Sequence, residues 1–309
     1  MKKIGIIINP HAKKNRRMKV NPVHLYRELG SDFVDVRATQ SLDEVFHVAE
    51  EFQKAGVDYL GICGGDGTVH HVISRFHQVY KNSALPPVVL LKGGTMDTVS
   101  RTISLKGKGP EILTRLIDLL KKGQFPKLYT RDTILVEDKI GFLFGLGITS
   151  NFLREYYRGG DTGPVKAVKV AVGGIVKGIF NRNNEGLFER YNLRVVVDGK
   201  ELWFNNFLGV LAATVESVGI GFKPLYRALE KDNTFHVIAT GIRPYRLALQ
   251  VLRIKSGKPL RDRNHFDDIA SEIRALGQGK IQYMIDGDLY EVMGELKVQA
   301  GPRIQLVYV

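Results

Sequence analysis

The sequence predicts an α/β domain built on a parallel sheet, followed by an antiparallel β-sandwich domain with one inserted helix. Up to about residue 127, short continuous apolar runs alternate with segments of helical periodicity, which is typical of parallel strands buried on both faces. From residue 128 onward, segments that alternate between apolar and polar residues dominate, which is typical of antiparallel strands. We therefore predict two domains, residues 1–127 and 128–309. Whether the C-terminal end returns to pack with the first domain is left open.

The elements of the first domain follow from these patterns in order. The predicted strands and helices are strand 3–8, helix 22–30, strand 33–37, helix 41–55, strand 58–63, helix 69–79 and strand 87–91. Ser41 is a favoured N-cap residue, and Glu44 stands at the capping-box position three residues later. Strands that alternate with helices in this way predict a parallel sheet with right-handed crossovers.

The second domain is predicted to be mostly β. Its predicted β stretches are 128–136, 140–149, 192–197, 201–215, 234–240, 281–285, 294–299 and 303–309. The dipeptide Asp198-Gly199 between two such stretches predicts a hairpin turn. One helix, 164–180, is predicted to begin at Pro164. Trp203 and the buried-looking Cys63 are interpreted as core residues.

Composition restricts the class of protein. The chain has 309 residues, of which 44% are hydrophobic, so intrinsic disorder is excluded. A single cysteine excludes a disulfide framework and indicates a reducing compartment. No apolar run approaches the roughly 20 residues of a membrane-spanning helix. The 45 basic and 32 acidic residues give a net charge of +13, which predicts anionic partners: a nucleotide, a nucleic acid or an acidic membrane surface.

Three turns follow the predicted parallel strands: Asn9–Arg17, Gly64–Thr68 and Gly93–Thr95. Ligands of open α/β sheets bind at this carboxyl edge. Glycine allows the backbone to approach a ligand closely, and the start of the following helix offers N–H groups to an anion. The first turn adds four cations, so the three turns together favour a nucleotide polyphosphate.

Each of these features also has a purely structural interpretation. Glycine-rich turns are common at strand ends, and the cations of Lys13–Arg17 are compatible with an ordinary solvated surface. Asp66 has no role in an apolar core, and its structural alternative is to act as the N-cap of the following helix.

The order and spacing of these motifs resemble the diacylglycerol kinase catalytic family, which includes bacterial lipid kinases, sphingosine kinase and ceramide kinase. The resemblance covers nearly the whole chain. Its motifs are Asn9-Pro10-x-Ala12, Gly64-Gly65-Asp66-Gly67-Thr68 and Gly94-Thr95, with further counterparts at 143–147, 163–167, 218–224 and Asp286-Gly287-Asp288. NAD kinases and phosphofructokinases share the second motif and a similar first domain, but they lack the helix-interrupted β domain.

The resemblance implies a kinase that uses ATP and Mg²⁺, with the nucleotide in the cleft between the domains. The implied nucleotide-binding residues are Asn9, Lys14, Gly64, Gly65, Gly67, Thr68, Gly94 and Thr95. Asp66 and Asp286 are the implied candidates for the general base toward a lipid hydroxyl, and either carboxylate could instead hold Mg²⁺. Asp288 would support them, so the catalytic set is Asp66, Asp286 and Asp288.

Two departures from the family pattern leave a non-catalytic binding module open as an alternative. His70-His71 replaces the usual Asn-Glu, and Met96-Asp97-Thr98 replaces the usual x-Asn-Asp. Consecutive helix residues point about 100° apart, so helix packing or phosphate contact is favoured for the two histidines over a shared metal ion. Only Asp232 remains of the family's secondary metal segment, so that metal site is not predicted.

The expected substrate is a lipid alcohol, such as diacylglycerol or a sphingoid or ceramide-type lipid, presented at an anionic membrane surface. Lys166, Lys169 and Lys177 share one face of the predicted 164–180 helix, and a second basic stretch runs from Arg243 to Arg263. Both are also compatible with solvated surface. We expect a cytoplasmic protein that associates peripherally with membranes and binds no nucleic acid. Pairing of two copies across an edge strand, as a homodimer, is left open. The alternatives are an NAD kinase-like enzyme with a soluble substrate and a non-catalytic nucleotide- or lipid-binding module.

Overall fold

The computed structural model describes residues 3–18, 20–81, 83–94, 98–158, 166, 169–170, 173, 186–216 and 222–309. The chain divides into two compact units. The first unit consists of Met1–Arg131, Asp138–Ile140 and Arg303–Val309, and the second of Asp132–Glu137 and Gly141–Pro302. Of the helices that these residues form, none has both the length and the apolar composition needed to cross a membrane. Thr95 and most of the predicted 164–180 helix lie outside the described residues.

The strands and helices alternate in the first 121 residues, and strands dominate afterwards. The strands are β1 (Ile4–Ile8), β2 (Val34–Ala38), β3 (Tyr59–Cys63), β4 (Val88–Leu90), β5 (Lys127–Arg131), β6 (Ile134–Val136), β7 (Lys139–Gly141), β8 (Leu143–Gly147), β9 (Tyr191–Asn192), β10 (Arg194–Val197), β11 (Lys200–Glu201), β12 (Asn206–Phe207), β13 (Gly209–Ala213), β14 (Phe235–Thr240), β15 (His265–Ala270), β16 (Glu272–Ile285), β17 (Asp288–Ala300) and β18 (Ile304–Tyr308). The helices are α1 (Pro22–Gly30), α2 (Leu42–Ala55), α3 (Asp66–Tyr80), α4 (Thr98–Thr102), α5 (Gly109–Lys121), α6 (Ile148–Tyr157), α7 (Pro244–Leu249) and α8 (Val251–Lys255).

The first unit is organised around a six-stranded sheet with the order β2-β1-β3-β4-β18-β5. Its pairs are parallel except for the last one, in which β18 runs antiparallel to β5. All residues of β1 and β3 are buried, because helices cover both faces of a parallel sheet. The predicted parallel-sheet domain is confirmed, and the C-terminal strand β18 is part of its sheet.

Local signals fix the ends of the helices in this unit. Ser41 caps α2 as predicted, since its hydroxyl accepts a hydrogen bond from the backbone of Glu44. The Glu44 carboxylate accepts a hydrogen bond from the backbone N–H of Gln40, one residue before the Ser41 N–H that a capping box would use. Helix α3 begins at Asp66, three residues before the predicted start at residue 69, so the second glycine turn leads directly into a helix.

The second unit contains an antiparallel sheet with the order β15-β14-β13-β8-β16-β17-β6. Strand β16 is long enough to pair with β8 near its end and with β10 near its start, and its register with β17 shifts between Leu276 and Lys280. The predicted Asp198-Gly199 hairpin is confirmed, with both residues at positive φ. The inward side chains of these strands form one apolar cluster, so the predicted antiparallel domain is confirmed.

Several elements differ from the sequence prediction. The predicted stretch 128–136 is two strands, β5 in the first unit and β6 in the second. The predicted strand 140–149 ends at Gly147, where a φ of +74° turns the chain into helix α6. Helices α5, α7 and α8 were also not predicted. Trp203 is not a core residue as predicted, because 64% of it is exposed and its indole donates a hydrogen bond to the carbonyl of Arg263.

A buried polar cluster links strands β14 and β15 in the second unit. The Asp267 carboxylate lies 2.7 Å from Nε2 of the fully buried His236 and accepts a 3.0 Å hydrogen bond from the Tyr226 hydroxyl. Nε2 of His265 lies 3.6 Å from Oδ2 of Asp267, the carboxylate oxygen that accepts from Tyr226. Burial alone would raise the pKa of Asp267, but these three neighbours outweigh burial and hold that pKa well below its usual range.

This cluster gives a pH-dependent stability prediction. Asp267→Asn should lower the free energy of unfolding by about 2 kcal/mol at neutral pH, since hydrogen bonds to a buried carboxylate are lost. The pKa of Asp267 is depressed in the folded state, so its stabilisation is present above the unfolded pKa of about 3.9 and is lost as pH falls through the folded pKa. Urea unfolding of the wild type and of Asp267→Asn should therefore show a difference in the free energy of unfolding that is full above about pH 4 and shrinks progressively as the pH falls further.

Asp268→Asn is the matched control, because the Asp268 side chain is half exposed and its partner is Arg227 at the surface. That change should cost no more than about 1 kcal/mol. An Asp267→Asn protein as stable as the wild type at neutral pH would contradict the assignment.

Candidate active site

The three predicted turns leave neighbouring strands of the first sheet at the same level. Ile8 at the end of β1 pairs with Cys63 at the end of β3, and Ile62 pairs with Leu90 at the end of β4. The strands are parallel, so the turns that follow Ile8, Cys63 and Leu90 emerge at one edge. The structure therefore brings the first and second turns and the described part of the third, Gly93-Gly94, together in one unit.

The Asn15 side chain connects the turns to one another. Its Nδ2 donates hydrogen bonds to the carbonyl of Asn9 at 2.8 Å and to the carbonyl of Cys63 at 3.1 Å. Its Oδ1 accepts a contact from the Cys63 thiol at 3.4 Å, and only 5% of the residue is exposed. Sequence analysis placed Asn15 in the first turn but gave it no role, since nothing in the run of cations around it marks this amide as buried.

Packing explains why the second and third turns contain glycines. A Cβ on Gly94 would lie 2.1 Å from the Cα of Gly65, and a Cβ on Gly93 would lie 2.8 Å from the backbone nitrogen of Gly64. Real Cβ atoms essentially never approach another atom this closely. The two turns therefore approach each other backbone to backbone, which only glycine permits.

The predicted nucleotide residues of the first turn contact the other two turns. Asn9 Nδ2 donates a 3.0 Å hydrogen bond to the Thr68 hydroxyl, while Asn9 Oδ1 accepts one from the backbone of His11. Lys14 donates its backbone N–H to the carbonyl of Gly93 at 3.1 Å, and its ammonium lies 3.3 Å from the carbonyl of Lys92. These contacts place the Lys14 cation and the Thr68 hydroxyl on the same sheet edge as the glycines.

The second turn presents the N-terminus of α3 at this edge. Gly65 is the N-cap and Asp66 is the first helical residue, so the alternative that Asp66 serves as the N-cap is wrong. No side chain caps the helix, and Gly65 to Thr68 are partly exposed. The first turn of a 15-residue helix carries a partial positive charge and backbone donors, which suit a phosphate group.

The donor set fits a nucleotide polyphosphate with Mg²⁺. Phosphate oxygens can accept hydrogen bonds from the backbone N–H groups at the start of α3 and from the Lys14 ammonium. At Gly94 the backbone has no Cβ, so it can approach a phosphate closely. The Asp66 carboxylate at the helix start is the oxygen ligand that Mg²⁺ prefers.

The unusual His70 has a structural role in the first unit. It is fully buried, and its Nδ1 lies 2.6 Å from the carbonyl of Ile140, so the ring donates from Nδ1. Ser74, one helical turn later, donates to the carbonyl of His70 and accepts from the backbone of Ile140. The packing interpretation is therefore confirmed for His70.

The predicted acids of the second unit lie at the turn between β16 and β17. Asp286 and Gly287 form a two-residue turn with φ values of +47° and +98°. The Asp286 carboxylate accepts hydrogen bonds from the backbone N–H of Phe142 at 3.0 Å and of Leu143 at 2.9 Å. Asp286 thus anchors this turn to β8, a role that sequence analysis missed.

Asp288 begins β17 beside Tyr157. The Tyr157 hydroxyl donates a 2.9 Å hydrogen bond to the carbonyl of Gly287. Burial, followed by the charge of Asp288 and the nearby Tyr156, raises the pKa of Tyr157. The functional roles of Asp66, Asp286 and Asp288 remain predictions at this stage.

Comparison with known proteins agrees with this description. Residues 3–125 match the model of the diacylglycerol kinase catalytic domain. The predicted resemblance to the diacylglycerol kinase catalytic family is confirmed. All of the predicted site residues of the first unit fall within the matched range, and the acids of the second unit fall outside it.

A relative from Streptococcus pneumoniae serotype 4 (strain ATCC BAA-334 / TIGR4), named "Putative lipid kinase", is 27% identical over 110 residues. That match spans 34% of this chain and 35% of the relative, so it concerns about a third of either protein.

Solved structures resemble the whole chain. The crystal structure of a "putative diacylglycerol kinase" from Bacillus anthracis str. Sterne superposes with a TM-score of 0.67 at 14% identity, over 100% of this chain and 97% of that one. A diacylglycerol kinase structure from the same organism has a TM-score of 0.62 at 15% identity and the same coverage. At these identities the likeness shows the fold alone, a first domain with a mixed sheet followed by an antiparallel domain.

The backbone contact between the turns gives a direct prediction. Gly94→Ala should destabilise the first unit by about 1–3 kcal/mol, because the new methyl group would force Gly65 away. It should also weaken nucleotide binding, since the cradle itself is displaced. Thermal unfolding and calorimetric titration with Mg·ATP would measure the two effects.

Gly279→Ala is the matched control, because a Cβ at Gly279 would meet nothing within 4 Å. That variant should bind nucleotide as the wild type does. Equal stability and equal nucleotide affinity for Gly94→Ala and Gly279→Ala would show that the close approach of the turns is not required.

Proposed function

We propose that this protein is an ATP-dependent lipid kinase that transfers the γ-phosphoryl group to a hydroxyl of a lipid, such as diacylglycerol or a sphingoid or ceramide-type lipid. The observation that carries the proposal is the set of three turns fixed at one sheet edge by Asn15 and by the Gly65–Gly94 contact. The family match over residues 3–125 supports the same chemistry.

Phosphoryl transfer depends mainly on positioning and on neutralising charge, and the first unit supplies both. The Lys14 ammonium and the N-terminus of α3 offer positive charge at one edge, and hydrogen bonds hold both turns in place. A rigid site of this kind reduces the cost of ordering a flexible triphosphate.

Mg²⁺ bound by Asp66 would neutralise phosphate oxygens as the transition state develops. The lipid hydroxyl must lose its proton, and a carboxylate at Asp66 or Asp286 would accept it. Asp286 is held in one orientation by two backbone N–H groups, which suits a positioned base.

The first test is the substitution Asp66→Asn, which removes a charge and a metal ligand while keeping the shape. The rate of transfer of labelled phosphate from ATP to lipid in mixed micelles should fall at least about a hundredfold. The exposed helical residue Asp118 provides the control variant Asp118→Asn, which should retain activity. Extraction into an organic phase, followed by mass spectrometry, identifies the phosphorylated lipid.

Three outcomes would count against this assignment. An aqueous product would favour a kinase with a soluble substrate. Nucleotide binding without turnover in any lipid would favour a non-catalytic module. Full activity of the Asp66→Asn variant would show that the Asp66 carboxylate is not required for the reaction.

A second test separates the anchoring role of Asp286 from a chemical one. Asp286→Asn should reduce transfer at least about a hundredfold while nucleotide affinity is retained, because the nucleotide contacts proposed above are all in the first unit. The loss of charge-assisted bonds to two backbone N–H groups should also lower stability by about 1–2 kcal/mol.

Asp198 provides the control for that test. It occupies the other Asp-Gly hairpin turn, and its carboxylate also accepts hydrogen bonds from two backbone N–H groups, those of Ser271 and Glu272. Asp198→Asn should lose similar stability but keep its activity. Equal activity in the two variants would assign Asp286 a structural role only.

A further inference from the structure

An apolar stripe faces solvent on the paired helices α7 and α8 in the second unit. Leu249 and Leu252 are each 75% exposed, and Tyr245 is 42% exposed. Single exposed leucines are common, but these three residues are spaced at i, i+4 and i+7. Backbone hydrogen bonds continue through Gln250 between the two helices, so the three side chains fall on one face.

The opposite face of this segment is fixed to the unit. Leu247 packs against the small buried cluster of Phe188, Leu208 and Ile242. The Arg190 guanidinium donates to the carbonyls of Gly241 and Ile242 just before α7. The outward apolar face is therefore presented by an anchored segment and not by a loose loop.

Positive charge surrounds this stripe. From residue 243 to residue 261 the sequence contains six Lys and Arg residues and no Asp or Glu, and one of these cations, Arg246, is paired with Asp262 at 3.1 Å. The loop after α8 is held alongside the helices, because the Gln250 side chain bonds the backbone of Arg261 at both its N–H and its carbonyl. The Arg253 side chain also bonds the carbonyl of Pro259. Lys255 and Lys258 are both exposed and belong to this tethered segment.

We propose that Tyr245, Leu249, Leu252, Lys255 and Lys258 form a docking surface for an anionic lipid bilayer, here called the 245–258 surface. The inference rests on the proposed lipid kinase function, because an enzyme of that kind meets its substrate in a membrane. Leucines that enter the acyl region and lysines that meet anionic headgroups are the combination that interfacial helices use. The segment from residue 243 to residue 261 contains no acid, and five of its six cations lie outside the Arg246–Asp262 pair, which argues for a partner surface of uniform negative charge over a protein partner with mixed charge.

The test uses the 309-residue chain and vesicles that contain no kinase substrate, in the absence of nucleotide. Binding is measured by co-sedimentation with vesicles of phosphatidylcholine alone and of equal parts phosphatidylcholine and phosphatidylglycerol. The wild type should bind the anionic vesicles much more tightly, and added salt should weaken that binding.

Two double variants separate the apolar and the charged contributions. Leu249→Ser with Leu252→Ser should weaken binding about tenfold or more for each leucine. Lys255→Gln with Lys258→Gln should weaken binding to anionic vesicles about fivefold for each lysine. All of these side chains are exposed, so the melting temperature should be unchanged.

Controls come from the same unit. Leu229→Ser removes another exposed leucine, and Lys200→Gln removes an exposed lysine of strand β11. Both should bind vesicles as the wild type does. Equal binding by all variants, or equal binding to neutral and anionic vesicles, would overturn the proposal. So would a dimer in solution that the double serine variant converts to a monomer, because the stripe would then face a second copy.

This design keeps the two proposals separate. If the protein binds anionic vesicles through this surface but transfers no phosphate to any lipid, the docking surface is supported and the proposed function is rejected. If the protein is an active kinase and none of the four substitutions weakens vesicle binding, the proposed function is supported and the docking surface is rejected.

Discussion

The Asn15 side chain is bonded to the ends of two different strands at once, and the site of the first unit depends on it. Its amide donates to the carbonyls of Asn9 and Cys63, and its oxygen lies where a Cβ on Gly93 would collide. The glycines of the second and third turns then meet at a distance that excludes any side chain. One buried amide and one backbone contact thus determine where Lys14, Thr68 and the start of α3 stand.

The second unit uses the same physical device at two hairpin turns. At Asp198 and at Asp286, a residue with positive φ precedes a glycine, and its carboxylate accepts hydrogen bonds from backbone N–H groups of another segment. The geometry of Asp286 is therefore explained by the fold alone. A chemical role for Asp286 has to be demonstrated by its difference from Asp198, since the two local structures are so alike.

Much of the fold could be predicted from the sequence because its signals are local. Buried runs such as Ile4–Ile8, the Ser41 cap and the Asp198-Gly199 turn each depend on a few neighbouring residues. Helix α6 was missed because it begins at a glycine without a capping side chain. The stretch 128–136 was misread as one element because the division of its strands between two units is set by distant pairing with β18 and β17.

The candidate site shows the same division. The glycine turns were identifiable by their order and spacing, but the reason for the glycines is a contact between Gly65 and Gly94, which lie 29 positions apart. Asn15 and His70 owe their roles to burial against segments far away in sequence. The sequence did not show that the leucines of α7 and α8 face solvent, because apolar residues at helical spacing normally indicate a core.

The central claim is that a triphosphate binds the three turns at one edge of the first sheet. Amide hydrogen exchange of the 309-residue chain, with and without Mg·ATP, tests this most directly because it reports protection segment by segment. The account predicts that nucleotide slows exchange in residues 11–17, 65–69 and 92–94 together. Protection confined to another part of the chain, or exchange that ATP leaves unchanged at saturating concentration, would contradict it.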